Sequence, residues 1–176
     1  MIDRLDHLVL TTSREQACID FYTRVLGMKL EHFIAGTPPV SRKAFKFGVQ
    51  KINLHVQGAE LTPRAHLPVP GALDLCFIVT GPLDAVIENI KNANWPILEG
   101  PVQRTGATAK IRSIYLRDPD LNLIELSELM WAATDVIPVW KTPKVMKQNS
   151  DKNVCIVDHP MVQHKLTLMR DKHTST

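Results

Sequence analysis

The apolar and polar positions of this chain spell out one pattern twice. Residues 5–11, LDHLVLT, form a short apolar run with the character of a strand. Ile19, Tyr22 and Leu26 then recur at helical spacing, behind a Ser13/Gln16 pair spaced as a capping box. Gly27 follows directly, at a helix end that favours a residue able to take positive φ. MKLEHFI, KAFKFG and KINLHV read as three further strands, the last two joined by a tight turn around residues 48–50. The order is β-α-β-β-β.

A stretch without a clear period, QGAELTPRAHLPVPG, follows and reads as a linker. LDLCFIV then restarts the pattern. Pro82 falls in the first turn of a helix over LDAVIENIKN, where its missing donor is harmless, and WPILE, KIRSIYLRD and LNLIELSEL complete a second β-α-β-β-β. One helix is too small to bury the face of its sheet, so two such modules must associate. The predicted architecture is α+β: modules 4–57 and 72–129 form one domain over residues 1–130, with their sheets cupped around a central cavity. Residues 131–176 lack a sustained period and read as a basic, flexible tail, although Trp131, Val136, Ile137, Val139 and Trp140 form an apolar cluster at its start.

Composition narrows the setting. The chain has 176 residues, 44% of them hydrophobic and 22% charged, which is ordinary for a globular protein. No apolar run approaches the roughly 20 residues of a membrane span. The N-terminus lacks the layout of a signal peptide, so a cytoplasmic address is expected. The formal charge of +3 comes entirely from the tail, and residues 1–130 balance fourteen basic against fourteen acidic side chains. A nucleic-acid partner is therefore not expected. The three cysteines include no CxxC pair, which argues against a disulfide framework or zinc knuckle, and Cys18 and Cys76 read as small core residues.

Four positions carry candidate chemistry. His7 lies in the first strand and His55 in the last strand of the first module; Asp74 and Glu125 hold the equivalent places in the second. Leu123, Ile124 and Leu126 surround Glu125, and a carboxylate in such a run is costly unless it meets a cation or hydrogen-bond donors. Imidazole and carboxylate together suit a divalent zinc, nickel, iron or manganese ion, which polarises a carbonyl or activates water. His32 and His66 read as surface or loop residues, and His159, His164 and His173 are too irregularly spaced for a metal role. RTGATAK, residues 104–110, reads as a flexible loop, and DPDLN, residues 118–122, as a turn that aims Glu125, with Asn122 suited to a left-handed conformation.

The ordered set HLVLT, DFYTRVLGM, KFGVQKINLH, LDLCFIV and DPDLNLIEL resembles the vicinal-oxygen-chelate (glyoxalase/bleomycin-resistance/dioxygenase) superfamily over residues 4 to 129. KFGVQKINLH, PVPGALDLCFIV and GPVQRTGA look most like its glyoxalase-domain-containing-protein-5 branch and related small bacterial proteins. The resemblance implies paired βαβββ modules around a divalent metal, with first- and last-strand ligands on His7 and Glu125. The other two ligand places fall on Asp74 and Asn53, and His55, two residues beyond Asn53, shares its strand face. It implies a metal-dependent lyase or isomerase acting on a small oxygenated substrate, with His7 and Glu125 as metal ligands and Glu125 as the catalytic group; His55 is the expected third ligand, in place of Asn53. A homodimer is compatible with it. The alternative is a metal-free module that sequesters a small molecule. Residues 36–42, GTPPVSR, look like extra loop material.

Overall fold

The computed structural model describes residues 1–130. The expectations for the tail, its apolar cluster and its three histidines all fall outside the described residues. The first module runs β1 (His7–Thr12), α1 (Glu15–Asp20), which continues into a π-helical turn at Phe21–Val25, then β2 (Lys29–Ala35), β3 (Val40–Phe47) and β4 (Gln50–Val56). The second repeats the order with β5 (Asp74–Ile78), α2 (Leu83–Asn92), β6 (Glu99–Thr105), β7 (Lys110–Arg117) and β8 (Leu123–Met130). Each module is a four-stranded sheet, β1-β4-β3-β2 and β5-β8-β7-β6, in which the first and last strands pair in parallel and the other neighbours are antiparallel. Among the described residues no helix is long and apolar enough to cross a membrane.

Strand alternation sends one face of each sheet to its helix and leaves the other open. In the first sheet Leu10, Phe45, Ile52 and Leu54 face α1; in the second, Ile114, Leu116, Ile124 and Leu126 face α2 with Leu83, Ile87 and Ile90. These residues form one continuous cluster, so the two modules share a single helix-side core. Aromatic contacts join its halves: Phe21 lies 4.8 Å from Trp95, and Phe47 meets Phe77 edge-on at 5.3 Å. Burying such rings removes the largest apolar surfaces in the sequence from water.

The turn at residues 118–122 locks this association. Asp118, buried, accepts hydrogen bonds from the Tyr22 hydroxyl at 3.1 Å, the Asn122 backbone N–H at 2.8 Å and the Asn122 side-chain amide at 2.8 Å. Asp120 accepts from the Thr12 hydroxyl, from the Ser13 backbone N–H at 3.0 Å and from the Ser13 hydroxyl at 2.7 Å. The linker arrives at the same point: the Asn122 amide oxygen accepts the Leu73 N–H at 2.9 Å, and Gly71 approaches so closely that a Cβ there would lie 2.6 Å from the Asp120 carbonyl.

Several local expectations are revised. Ser13 is not a helix cap, because its hydroxyl is spent on Asp120; Thr12 Oγ1 instead accepts the Arg14 N–H at 3.0 Å. The left-handed residue of the turn is Leu121, at φ 69°, while Asn122 is held by its hydrogen bonds to Asp118. Pro82 sits just before α2 as its cap residue, and the Leu83 N–H is taken by Glu128 at 2.7 Å. The strand expected at WPILE begins only at Glu99 and extends through Thr105, which shortens the 104–110 loop to a tight turn closed by Gly106 and Ala109. β3 begins at Val40, so the extra residues 36–42 partly lengthen the β2–β3 hairpin. Cys18 is a core residue as expected, but Cys76 is exposed, because it lies on the open face of β5.

Replacing Asp120 by Ala removes three acceptor contacts between the modules while leaving the helix-side core intact. The expected cost is about 1–3 kcal/mol, read as a lower urea midpoint at unchanged m-value. A variant as stable as the parent would show that the apolar core alone holds the modules together.

Candidate functional site

The register places the candidate ligands on the two open faces. His7, Val9 and Thr11 alternate with the core residues of β1; beside them on β4 lie Lys51, Asn53 and His55, as the pairs His7↔Lys51, Val9↔Asn53 and Thr11↔His55 require. On the second sheet the open face carries Asp74 and Cys76 of β5, Leu123, Glu125 and Ser127 of β8, and Ser113 and Tyr115 of β7. His7 and Glu125 therefore lie on different sheets, each on the face opposite the shared core.

Their surroundings differ. His7 is exposed at the start of β1, and its Nδ1 lies 2.7 Å from Asp6 Oδ1. Asp6 is held below the usual carboxylate range, first by that hydrogen bond. Glu125 is half-buried between register neighbours Cys76 and Tyr115, and it accepts the Ser127 hydroxyl at 3.3 Å. The apolar residues on either side of it in sequence are not all its neighbours in space, since Ile124 and Leu126 point to the core. Arg104 donates to the Tyr115 hydroxyl at 3.1 Å and to Glu99 at 2.7 Å, placing a guanidinium at the edge of this polar face. Partial desolvation at the sheet face pushes the Tyr115 phenol and the Cys76 thiol up, so both are held in their neutral forms.

His55 is the most constrained of the candidates. Its Nδ1 is shielded from solvent and has no hydrogen-bond partner, and the same holds for Asn53 Oδ1 and Arg42 Nε. Burial, and then the nearby Arg42 charge, lower its pKa. The ring also lines a cleft of about 100 Å³ between the first sheet and the linker, with Val9, Thr11, Arg64, Leu67 and Val69 among its walls. His32 and His66 are exposed, as the sequence suggests.

Among the described residues no three His, Cys, Asp or Glu side chains gather as they would around a metal ion. In donor chemistry His7, His55 and Glu125 fit a borderline divalent ion, while the unpartnered Nδ1 of His55 is shielded from solvent. Two of these donors, however, belong to one sheet and the third to the other. Sequence reasoning missed Arg42 and Tyr115 altogether. Arg42 lay within apparent loop material, and Tyr115 gains its place only through the β7–β8 register.

Comparisons with known proteins agree with the two-module fold. The model of the Glyoxalase/Bleomycin resistance protein/Dioxygenase superfamily matches residues 4–126. The virulence protein STM3117 of Salmonella typhimurium is 54% identical over 128 residues, covering 73% of this chain and 85% of that protein. Its crystal structure superposes with a TM-score of 0.69 at 52% identity, covering 74% of this chain and 99% of that one. The glyoxalase domain-containing protein RDO1 of Mycosarcoma maydis is 50% identical over 123 residues, which is 70% of this chain and 66% of that protein. These relatives support the superfamily without singling out the glyoxalase-domain-containing-protein-5 branch.

The buried imidazole makes a pH prediction. With a folded pKa below the ordinary value of about 6.5, His55 binds fewer protons in the folded than in the unfolded state between those two values. Stability should therefore fall as pH drops from neutral through 6.5 to the folded pKa, and level out below it. NMR titration of the His55 ring should give a midpoint under 6.5, and His55→Gln should flatten this part of the stability–pH curve. A midpoint at or above the ordinary value would contradict the buried, unpartnered ring.

Proposed function

Since the chain belongs to the glyoxalase/bleomycin resistance protein/dioxygenase superfamily, we propose that it is a metal-dependent lyase or isomerase acting on a small oxygenated substrate. The observation behind this reading is the placement of imidazole and carboxylate donors on two open sheet faces, both opposite the core that the modules share. A ligand set drawing on both faces needs two copies of the chain, His7 and His55 from one and Glu125 from the other. The protein is then a homodimer whose site is incomplete in a single chain.

His7, His55 and Glu125 would hold a zinc, nickel, iron or manganese ion, which when bound polarises substrate oxygens. The remaining work belongs to this chain's side chains. Glu125 is the proton-transfer group: its carboxylate is half-buried, oriented by the Ser127 hydroxyl, and flanked by the Tyr115 phenol. Arg104, bonded to the Tyr115 hydroxyl, adds positive charge beside that face and favours an anionic substrate oxygen.

A second reading, a metal-free module that sequesters a small molecule, is supported by the cleft of about 100 Å³ beside His55, whose linker walls are largely apolar. Metal analysis of untagged protein separates the two. The enzyme reading expects close to one divalent ion per chain and a dimer by light scattering. It also expects His7→Ala and Glu125→Gln each to lose most of the metal. Metal-free parent protein would leave the sequestering module as the function, and Glu125→Gln with undiminished metal would remove Glu125 from the ligand set.

A further inference from the structure

The open face of the first sheet carries a row of like charges. The register sets Lys29 of β2 directly across from Lys46 of β3, Lys46 across from Lys51 of β4, and Lys51 across from His7 of β1. Opposed side chains in a sheet have Cβ atoms about 5 Å apart, so the three lysines line up over roughly 10 Å. Like charges placed directly opposite each other destabilise a sheet. Lys29 lies on the edge strand β2, where a lysine discourages stray pairing. Lys46 and Lys51, however, lie on the inner strands β3 and β4, which edge protection does not explain. Nor is the row a by-product of a basic body, because residues 1–130 carry as many acidic as basic side chains.

None of the three lysines forms an ion pair among the described residues, whereas Lys43, Lys91, Arg104 and Arg112 each hold a carboxylate. Glu31 shares the face but stands opposite Ala44, and Asp6 at its edge is bonded to His7 at 2.7 Å. The ammonium groups are within reach of a ligand. Lys29 and Lys46 are exposed, and the half-buried Lys51 has its Nζ 4.3 Å from the centroid of the Phe33 ring and outside the set of shielded polar atoms. Arg42 adds positive charge farther along the face, but its Nε is shielded and is no contact for a ligand.

The row has a definite chemical preference. A planar carboxylate is best met by the fork of an arginine, whereas several ammonium point charges suit a tetrahedral phosphate. A row of about 10 Å is longer than one phosphate touches and matches two joined phosphates. Duplex nucleic acid or an anionic membrane is typically met by a broader cluster, on the order of 4–10 basic side chains. We propose that Lys29, Lys46 and Lys51 bind the diphosphate group of a small molecule, whose remaining part extends toward His7 at the end of the row. The bound anion offsets the repulsion that the row carries in the free protein. This assignment rests on the proposed small-molecule function and deepens it, naming the charged group that the substrate carries.

The test is an NMR titration of the full chain, free of metal and at low ionic strength, with inorganic diphosphate and with inorganic phosphate. Diphosphate should saturably shift residues 29, 46 and 51 and leave the surroundings of Lys110, on the other sheet, unmoved. Phosphate should bind more weakly. Lys46→Gln should weaken diphosphate by about fivefold or more, the loss of one charged contact, while Lys46→Arg keeps most of the affinity. Lys110→Gln should leave it unchanged. Lys46→Gln should also raise the urea midpoint of the free protein, since it relieves two opposed like charges, an effect that a merely structural lysine would reverse. The absence of saturable shifts in the parent, equal affinity for phosphate and diphosphate, or unchanged binding in Lys46→Gln would each overturn the proposal. So would retention of the protein on phosphatidylserine vesicles that Lys46→Gln abolishes, which would assign the row to a membrane surface. Metal content separates this from the enzyme reading: protein that loads metal without a diphosphate shift loses the row alone, and diphosphate binding by protein that takes up no metal keeps the row and discards the lyase.

Discussion

The buried carboxylate of Asp118 and its neighbour Asp120 hold the molecule together in a way the apolar core does not. Hydrophobic contact between the two helix-side faces is strong but non-directional, and it tolerates sliding of one module over the other. The two aspartates fix the position. Asp118 binds a tyrosine of the first module's helical segment, Asp120 binds the β1–α1 junction, and Asn122 at the end of the turn holds the end of the linker. Burial raises the Asp118 pKa despite its donors. Ionising this carboxyl in the folded protein therefore costs stability, which falls as pH rises from the ordinary carboxylate value through the raised folded pKa. Four donors offset that cost and give in return a unique register.

From this register the placement of the candidate site follows. Once the helix-covered faces share a core, the other face of each sheet is left for chemistry. β1 and β5 lie at sheet edges beside β4 and β8, so each open face brings residues from the first and last strands of its module side by side. His7 and His55 thus share one face and Glu125 lies on the other. The two faces differ in character: the first is rich in unpaired cations and the second in hydroxyls and carboxylates.

The repeat, the element order, the core face of the first helix and the family were legible in the sequence, because strand and helix periodicity are local and the apolar stripe Ile19/Tyr22/Leu26 needs no distant information. His7, His55, Asp74 and Glu125 were also legible as chemically unusual residues in apolar runs. What the chain alone determined was thus which residues alternate with the core and which types of donor stand among them.

The tertiary structure decided which of those residues meet. Ser13 looks like a helix cap until Asp120, more than a hundred positions away, takes its hydroxyl. Cys76 looks like core until β5 is seen to turn it toward the open face. Arg42 looks like loop until the β3–β4 register brings it beside His55, and their unpartnered atoms become visible only there. The physical reason is common to all three: periodicity tells a residue which side of its own element it occupies, but hydrogen-bond satisfaction depends on atoms that distant parts of the chain supply.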